Sequence, residues 1–145
     1  MTIAFVTPAD KAGWLPLWQA YLDFYNHPLT DEMTDLTFAR FLDEEESMFM
    51  MVAHQDGVVA GFATFILHRS TWAPGSYCYL EDLYVDAAVR GRGIARGLIA
   101  AVGEAGKAKG AERLYWITEA SNTTAQALYD KVASRTDFIQ FRRDL

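Results

Sequence analysis

The stretch from Tyr77 to Gly97 constrains the fold more than any other part of the chain. Tyr77 to Val85 is rich in aromatic and branched residues and reads as a strand. It gives way to a turn containing Gly91 and Gly93, after which Ile94, Leu98, Ala101, Val102 and Ala105 recur on one face of a helix. Gly110, behind Lys107 and Lys109, is a helix stop with bases at the negative end of the helix dipole. Arg113 to Thr118 is again a strand. A strand, a helix and a strand in succession call for a right-handed crossover, which makes the two strands parallel neighbours in one sheet.

The residues before this unit predict an antiparallel half. Ile3 to Val6 reads as a short strand, and Thr7-Pro8-Ala9-Asp10 as a helix start with Thr or Asp as cap. From Lys11 to about Asn26 one apolar stripe is formed by Trp14, Leu17, Trp18, Tyr21, Leu22 and Tyr25. A second helical pattern runs from about Asp31 through Phe38, Phe41 and Leu42 to the acids Asp43 to Glu46. Met48 to Ala53 and Val58 to Leu67 are strands flanking Gln55-Asp56-Gly57, a hairpin signal. After the crossover, Thr123 to Val132 reads as a helix, with Thr123 and Gln126 at capping-box spacing, and Phe138 to Phe141 as a final strand. The pattern predicts one α/β domain over residues 1–145 with a mixed sheet, without repeat or linker.

Composition narrows the function. At 145 residues the length suits one domain, and 51% hydrophobic with 22% charged residues is globular composition. A net charge of −6 gives no basic footprint for a phosphate backbone, so nucleic acid is not an expected partner. The lone Cys78 forms no internal disulfide, and His27, His54 and His68 are too scattered for a metal site. No run of 18 apolar residues and no leader pattern occurs, so a cytoplasmic protein that does not enter membranes is expected. Residues 1 to 60 carry ten acids and two bases, whereas residues 61 to 145 carry nine acids and eleven bases. A solvated helix face explains that asymmetry in most chains; the alternative is a cation bound by the first part and an anion by the second.

The anion site is the glycine turn. Gly91 and Gly93 let a phosphate approach the unpaired N–H groups at the start of the following helix, and Arg90 and Arg92 add charge. A nucleoside-triphosphate loop is excluded, because no Lys-Ser or Lys-Thr follows these glycines. A dinucleotide fingerprint fails on spacing: Gly97 comes one residue late and five residues separate Val85 from Gly91. Glu119 at the end of the next strand keeps a nicotinamide-binding oxidoreductase as an alternative.

The spacing that does fit is Arg/Gln-x-x-Gly-x-Gly/Ala, filled by Arg90, Gly93 and Ala95. It resembles the coenzyme A pyrophosphate loop of the GNAT superfamily of N-acetyltransferases. Tyr79-Leu80-Glu81-Asp82-Leu83-Tyr84-Val85 resembles that family's central strand, and Asn122 to Lys131 its Asn-x-x-Ala-x-x-Leu-Tyr-x-Lys helix. Leu-Glu-Asp-Leu-Tyr-Val followed by Arg-Gly-x-Gly-Ile, together with the Ser70-Thr71-Trp72 loop, is similar to the HPA-type histone and small-amine group and to the spermidine/spermine and thialysine enzymes. The chain departs from the family after Lys131, where Val132-Ala133-Ser134 replaces the usual Gly-Phe.

The resemblance implies a mostly antiparallel central sheet flanked by helices, opening between two parallel strands, and acetyl-CoA as cosubstrate with no metal. It implies direct transfer to a primary amine, either a small diamine, polyamine or amino acid or a lysine in a basic peptide. For the cofactor it implies Leu83, Tyr84, Val85, Arg90, Gly91, Arg92, Gly93, Ile94, Ala95, Asn122 and Tyr129. Tyr129 would protonate the departing thiolate, and the backbone of Leu83 to Val85 would meet the oxyanion. An ammonium must lose a proton before it attacks, so Glu81, and after it Asp82, is the candidate base or amine-holding carboxylate. Which of the two faces the cleft depends on whether the strand is bulged. Trp72 is the candidate aromatic contact for the amine. Tyr21, Tyr25 and Trp18 could shape a pocket, but core packing is the ordinary work of helical aromatics. Cys78 has no partner motif and is read as a small buried hydrophobe. The resemblance further implies a homodimer, through the C-terminal strand. A non-catalytic acyl-CoA sensor on the same fold is the alternative, opposed by the presence of Glu81, Asn122 and Tyr129.

Overall fold

The computed structural model describes residues 1–145. Five strands form one sheet in the order β1-β2-β3-β4-β5: β1 (Thr2–Phe5), β2 (Met48–Gln55), β3 (Val58–Arg69), β4 (Ser76–Val85) and β5 (Ala111–Tyr115). Neighbours run antiparallel except β4 and β5, which are parallel. Four helices flank the sheet: α1 (Lys11–Phe24), α2 (Asp31–Leu42), α3 (Ile94–Ala108) and α4 (Thr123–Val132). The mixed sheet and the parallel crossover through α3 are those expected from the sequence.

The hairpin between β2 and β3 turns on Asp56 and Gly57, both at positive φ (53° and 79°), with Gln55 opposite Val58. Two left-handed residues match the twist of the flanking strands, which explains why Asp-Gly stands there. Before α1, Thr7 and Asp10 bracket one turn of 3-10 helix, Pro8–Asp10; both the Thr7 amide (2.7 Å) and its hydroxyl (2.9 Å) donate to Asp10 Oδ2.

Each face of the sheet carries its own core. On one side Trp14, Leu17, Trp18 and Leu22 of α1 and Phe38 of α2 pack on Met50, Val52, Val59 and Phe62. Trp14 and Trp18 stack at 5.3 Å, and the Trp18 indole donates to Thr34 (3.2 Å), tying α1 to α2. On the other side Ile94, Leu98, Ile99 and Val102 of α3 cover Ala63, Phe65, Cys78, Leu80 and Val85. The helical stripes expected from the sequence supply these buried faces, each large buried side chain contributing about 1.5–3 kcal/mol, but Tyr25 at the end of α1 and Leu42 at the end of α2 stay exposed.

Two expectations are corrected. Phe138 to Phe141 form no strand: residues 133–145 lie outside any helix or strand, and Phe138, Ile139 and Phe141 are 85%, 78% and 88% exposed. An extended apolar segment becomes a strand only with a neighbouring ladder, and here the outer edge of β5 pairs with no strand. The cap of α4 is Asn122 rather than Thr123: its Oδ1 accepts from the Ala125 backbone amide (3.2 Å), while the Gln126 side-chain Nε2 donates to the carbonyls of Glu119 and Ala120. The departure after Lys131 has a visible result, since α4 ends at Ala133 in extended backbone and not in a glycine turn.

Candidate functional site

The site begins where β4 and β5 part. Their parallel register ends at Tyr79 opposite Tyr115, and the chain from Trp116 to Ser121 then runs without regular structure to α4. Beyond Tyr79 the free edge of β4 faces a cleft lined by Tyr21 and Tyr25 of α1, Leu80 to Leu83 of β4, Trp116 to Thr118, and Tyr129 of α4.

A bulge decides which side chains of β4 enter it. Thr64 pairs with Asp82 but Phe65 pairs with Leu80, so Glu81 is an extra residue with no partner on β3. Cys78 and Leu80 face α3; a regular strand would have sent Asp82 and Tyr84 the same way. Across the bulge the alternation resets, with Val85 in the α3 core and Tyr84 against the α1 core. Both carboxylates thus line the cleft, which answers the choice between Glu81 and Asp82 left open by the sequence.

Their environments differ. Glu81 opens to solvent on one side and accepts no hydrogen bond from the protein; partial burial of its carboxyl on the cleft side, followed by the nearby charge of Asp82, raises its pKa. Asp82 accepts from the Tyr21 hydroxyl at 2.6 Å through Oδ1 and from the Thr64 hydroxyl at 2.5 Å through Oδ2, while its amide donates to Thr64 Oγ1. Burial raises the pKa of Asp82 as well, against the opposing effect of those two hydroxyls. Burial and the adjacent Asp82 also push the Tyr21 phenol far up, so it keeps its proton. Tyr129 lies edge-on to Trp116 at 5.4 Å, and its pKa is raised by burial and then by Tyr25. A phenol that stays protonated is fitted to donate.

The candidate anion cradle stands at the far end of β4. Asp86 Oδ1 accepts from the Ala88 amide and starts one 3-10 turn, Ala87–Val89. Gly91 and Gly93 follow, each at φ 80°, with open space where a Cβ would stand. Gly93 caps α3 without a side-chain hydrogen bond, which leaves the first amides of the helix, from Ile94 and Ala95 onward, free to meet a phosphate. The Nε of Arg90 donates to the Val85 carbonyl (3.0 Å) and its guanidinium lies over the Tyr84 ring at 5.3 Å, so the arginine is held across the mouth of the turn. Free amides, left-handed glycines and the Arg90 and Arg92 side chains fit a pyrophosphate.

A family model described as the acetyltransferase (GNAT) family matches residues 14–133. The chain belongs to the GNAT family. Among relatives, this GNAT enzyme is 32% identical over 146 residues to the D-amino-acid N-acetyltransferase HPA3 of Saccharomyces cerevisiae, covering 99% of this chain and 91% of the relative. It is 41% identical over 73 residues to the thialysine N-epsilon-acetyltransferase of Caenorhabditis elegans, covering 50% of this chain and 45% of that one. The fold is similar, at a TM-score of 0.84 and 24% identity over 99% and 93% of the two chains, to the aminoglycoside N-acetyltransferase AAC(6')-Iy in complex with CoA. The chain is thus an N-acetyltransferase.

Four further residues singled out in the sequence are placed by the structure. Asn122, expected at the cofactor, caps α4 through Oδ1, which leaves its side-chain amide nitrogen to donate; it is not among the cleft-lining residues. Trp72 is 75% exposed on the loop before β4 and is not among the cleft-lining residues. Cys78 is buried under Gly106 of α3 and its thiol is pushed up to about 11 by burial, in keeping with a packing role. Tyr21 is the residue that sequence reasoning left in the core. Its ring does stack on Trp18 (5.5 Å), yet its polar tip reaches Asp82. The available signal was the pair of tyrosines, Tyr21 and Tyr25, rather than phenylalanines, in the last turns of the α1 stripe.

Proposed function

We propose that this GNAT enzyme transfers the acetyl group of acetyl-CoA directly to a primary amine. The observation that carries the reading is one cleft, opened by the parting of β4 and β5, with free helix amides and arginines at the end of β4 and two carboxylates with a protonated tyrosine within it. When bound, acetyl-CoA supplies the thioester carbonyl and a thiol leaving group. Arg90, Arg92 and the amides from Gly91 to Ala95 hold the pyrophosphate, and Asn122 donates to the pantetheine arm. The open edge of β4 at Leu83, Tyr84 and Val85 offers backbone groups to the pantetheine and to the oxyanion. Glu81, exposed and without a hydrogen-bond partner, draws in and holds the ammonium. It or Asp82 takes the proton that the amine must lose, and Tyr129 donates to the departing sulfur.

Amino acids and their side-chain amines come first among acceptors, supported by the names of the two relatives; diamines, polyamines and lysine in basic peptides share the cationic head that Glu81 and Asp82 would recognise. The unpaired edge of β5 and the exposed Phe138, Ile139 and Phe141 support a homodimer in which the tail of one copy completes the sheet of the other. Sedimentation of the full chain against a Phe138→Ser/Phe141→Ser variant tests that arrangement, and an unchanged mass would remove it.

The reaction is tested by thiol release from acetyl-CoA over a panel of D- and L-amino acids, thialysine, diamines, polyamines and basic peptides, with a control lacking amine. Release that depends on one class of amine establishes transfer and names the acceptor. Silence across the panel, alongside stabilisation by acetyl-CoA, would favour the binding-only reading.

A further inference from the structure

We propose that Tyr21 is a catalytic residue of this transferase, passing the proton of the acceptor amine to Asp82. The inference rests on the amine-transfer reading above and deepens it by assigning the proton's route. Three observations carry it. Asp82 has each carboxylate oxygen engaged by a hydroxyl, Oδ1 by Tyr21 and Oδ2 by Thr64, so a proton reaches Oδ1 along the Tyr21 hydrogen bond. Because Tyr21 gives its hydrogen to Asp82, its oxygen is left with lone pairs to accept a hydrogen from a donor in the cleft that the ring lines. The ring is also held on several sides, stacked on Trp18 and set edge-on against Tyr25 (5.1 Å), Phe62 (6.0 Å) and Tyr84 (6.3 Å), so the hydroxyl is positioned before substrate arrives.

The transfer balances without a further reactant. One proton passes from the ammonium nitrogen to Tyr21 Oη while the original hydroxyl proton passes from Oη to Asp82 Oδ1. Tyr21 is unchanged, the amine becomes neutral with a free pair, and Asp82 becomes a carboxylic acid. The charged and titratable groups around Asp82 are Tyr21 and Tyr25 of α1 and Tyr79 and Glu81 of β4, with Glu119 beyond Tyr25 and Arg142 beyond Tyr79; the carboxylate itself is in contact with hydroxyls and with no cation, so no ion pair keeps it from accepting. Thr64, 1% exposed, is a positioning residue: its hydroxyl favours the ionised form of Asp82 and so sets the pH at which the relay begins to work.

The test combines kinetics with a readout that does not need turnover. In protein labelled with ¹³C at aspartate carboxyls, the Asp82 resonance is the one lost in Asp82→Asn, and its titration midpoint rises in Thr64→Val and in Tyr21→Phe, each of which removes one hydroxyl. In pH profiles of kcat/KM with the best acceptor, Tyr21→Phe lowers the plateau about a hundredfold, and Thr64→Val moves the acid limb upward in pH. Asp82→Asn abolishes the acid limb, Glu81→Gln keeps it, and Tyr21→Phe/Asp82→Asn is no slower than the worse single variant. Acetyl-CoA stabilises every variant if the fold stands. An Asp82 midpoint that ignores Tyr21→Phe, or an acid limb lost in Glu81→Gln and kept in Asp82→Asn, overturns the relay. Wild-type protein that releases no thiol with any amine overturns the transfer reading and with it the relay's substrate, whatever the carboxyl titration shows.

Discussion

Tyr21 of the first helix and Asp82 of the central strand, 61 residues apart in the chain, are joined by a 2.6 Å hydrogen bond inside the cleft. The bond ties α1 to β4 at the point where β4 leaves β5, and it places an ionisable group where burial works against its charge. Groups placed for chemistry in this way are commonly poor for stability.

The pH dependence of stability follows from that placement. Burial holds the folded pKa of Asp82 above its unfolded value. Its contribution to stability is therefore fully present below the unfolded value and is lost as pH rises through the folded one. Thermal melts between about pH 4 and pH 8 should show wild type losing Tm relative to Asp82→Asn as pH rises; parallel curves would contradict the assignment.

Asp10 has the opposite sign. Burial acts to raise its pKa, but the Thr7 amide and His54, 2.8 Å away, outweigh it and hold the carboxyl below the usual range. Its contribution is present above the unfolded value and is lost as pH falls through the folded one. Asp10→Asn should cost about 1 kcal/mol at neutral pH in urea unfolding, with the gap to wild type closing below about pH 4.

Tyr129→Phe removes the hydroxyl and keeps the edge-on packing against Trp116. Initial rates should show kcat reduced about a hundredfold with the KM for acetyl-CoA little changed. A rate equal to wild type would take away its place as the acid.

At the cradle, Gly93→Ala forces a side chain into left-handed backbone at φ 80°, at a cost of about 1 kcal/mol or more. Arg90→Glu replaces the cation lying over Tyr84 with an anion. Both should weaken acetyl-CoA binding measured by calorimetry, Arg90→Glu more strongly and with a dependence on salt. Undiminished affinity in Arg90→Glu would move the pyrophosphate elsewhere.

Much of the fold was legible because the signals were local. The Asp-Gly hairpin, the stripe of Trp14, Leu17, Trp18 and Leu22, and the left-handed glycines before α3 each depend on a few neighbouring residues, and the structure carries all three. The same locality made Arg90, Asn122 and Tyr129 nameable in advance, since each stands in a spaced motif. The capping of α4 was misplaced by one residue because Asn122 and Thr123 are both good caps, and the choice turns on backbone geometry that composition does not carry. Phe138 to Phe141 have the side chains of a strand and no ladder to join.

What the sequence determined by itself was the order and type of the elements as far as α4 and the left-handed glycine turn before α3, because hydrophobic period, turn chemistry and glycine spacing act over short stretches of chain. What only the tertiary structure decided was the acceptor side of the cleft. Glu81 and Asp82 share it because the register of β4 on β3 slips by one residue, and register is set by how two whole strands settle against both cores at once. Tyr21 joins them because the packing of α1 on the sheet brings a helix hydroxyl to a strand carboxylate. Contacts between distant segments are fixed by the whole core, and no local pattern records them.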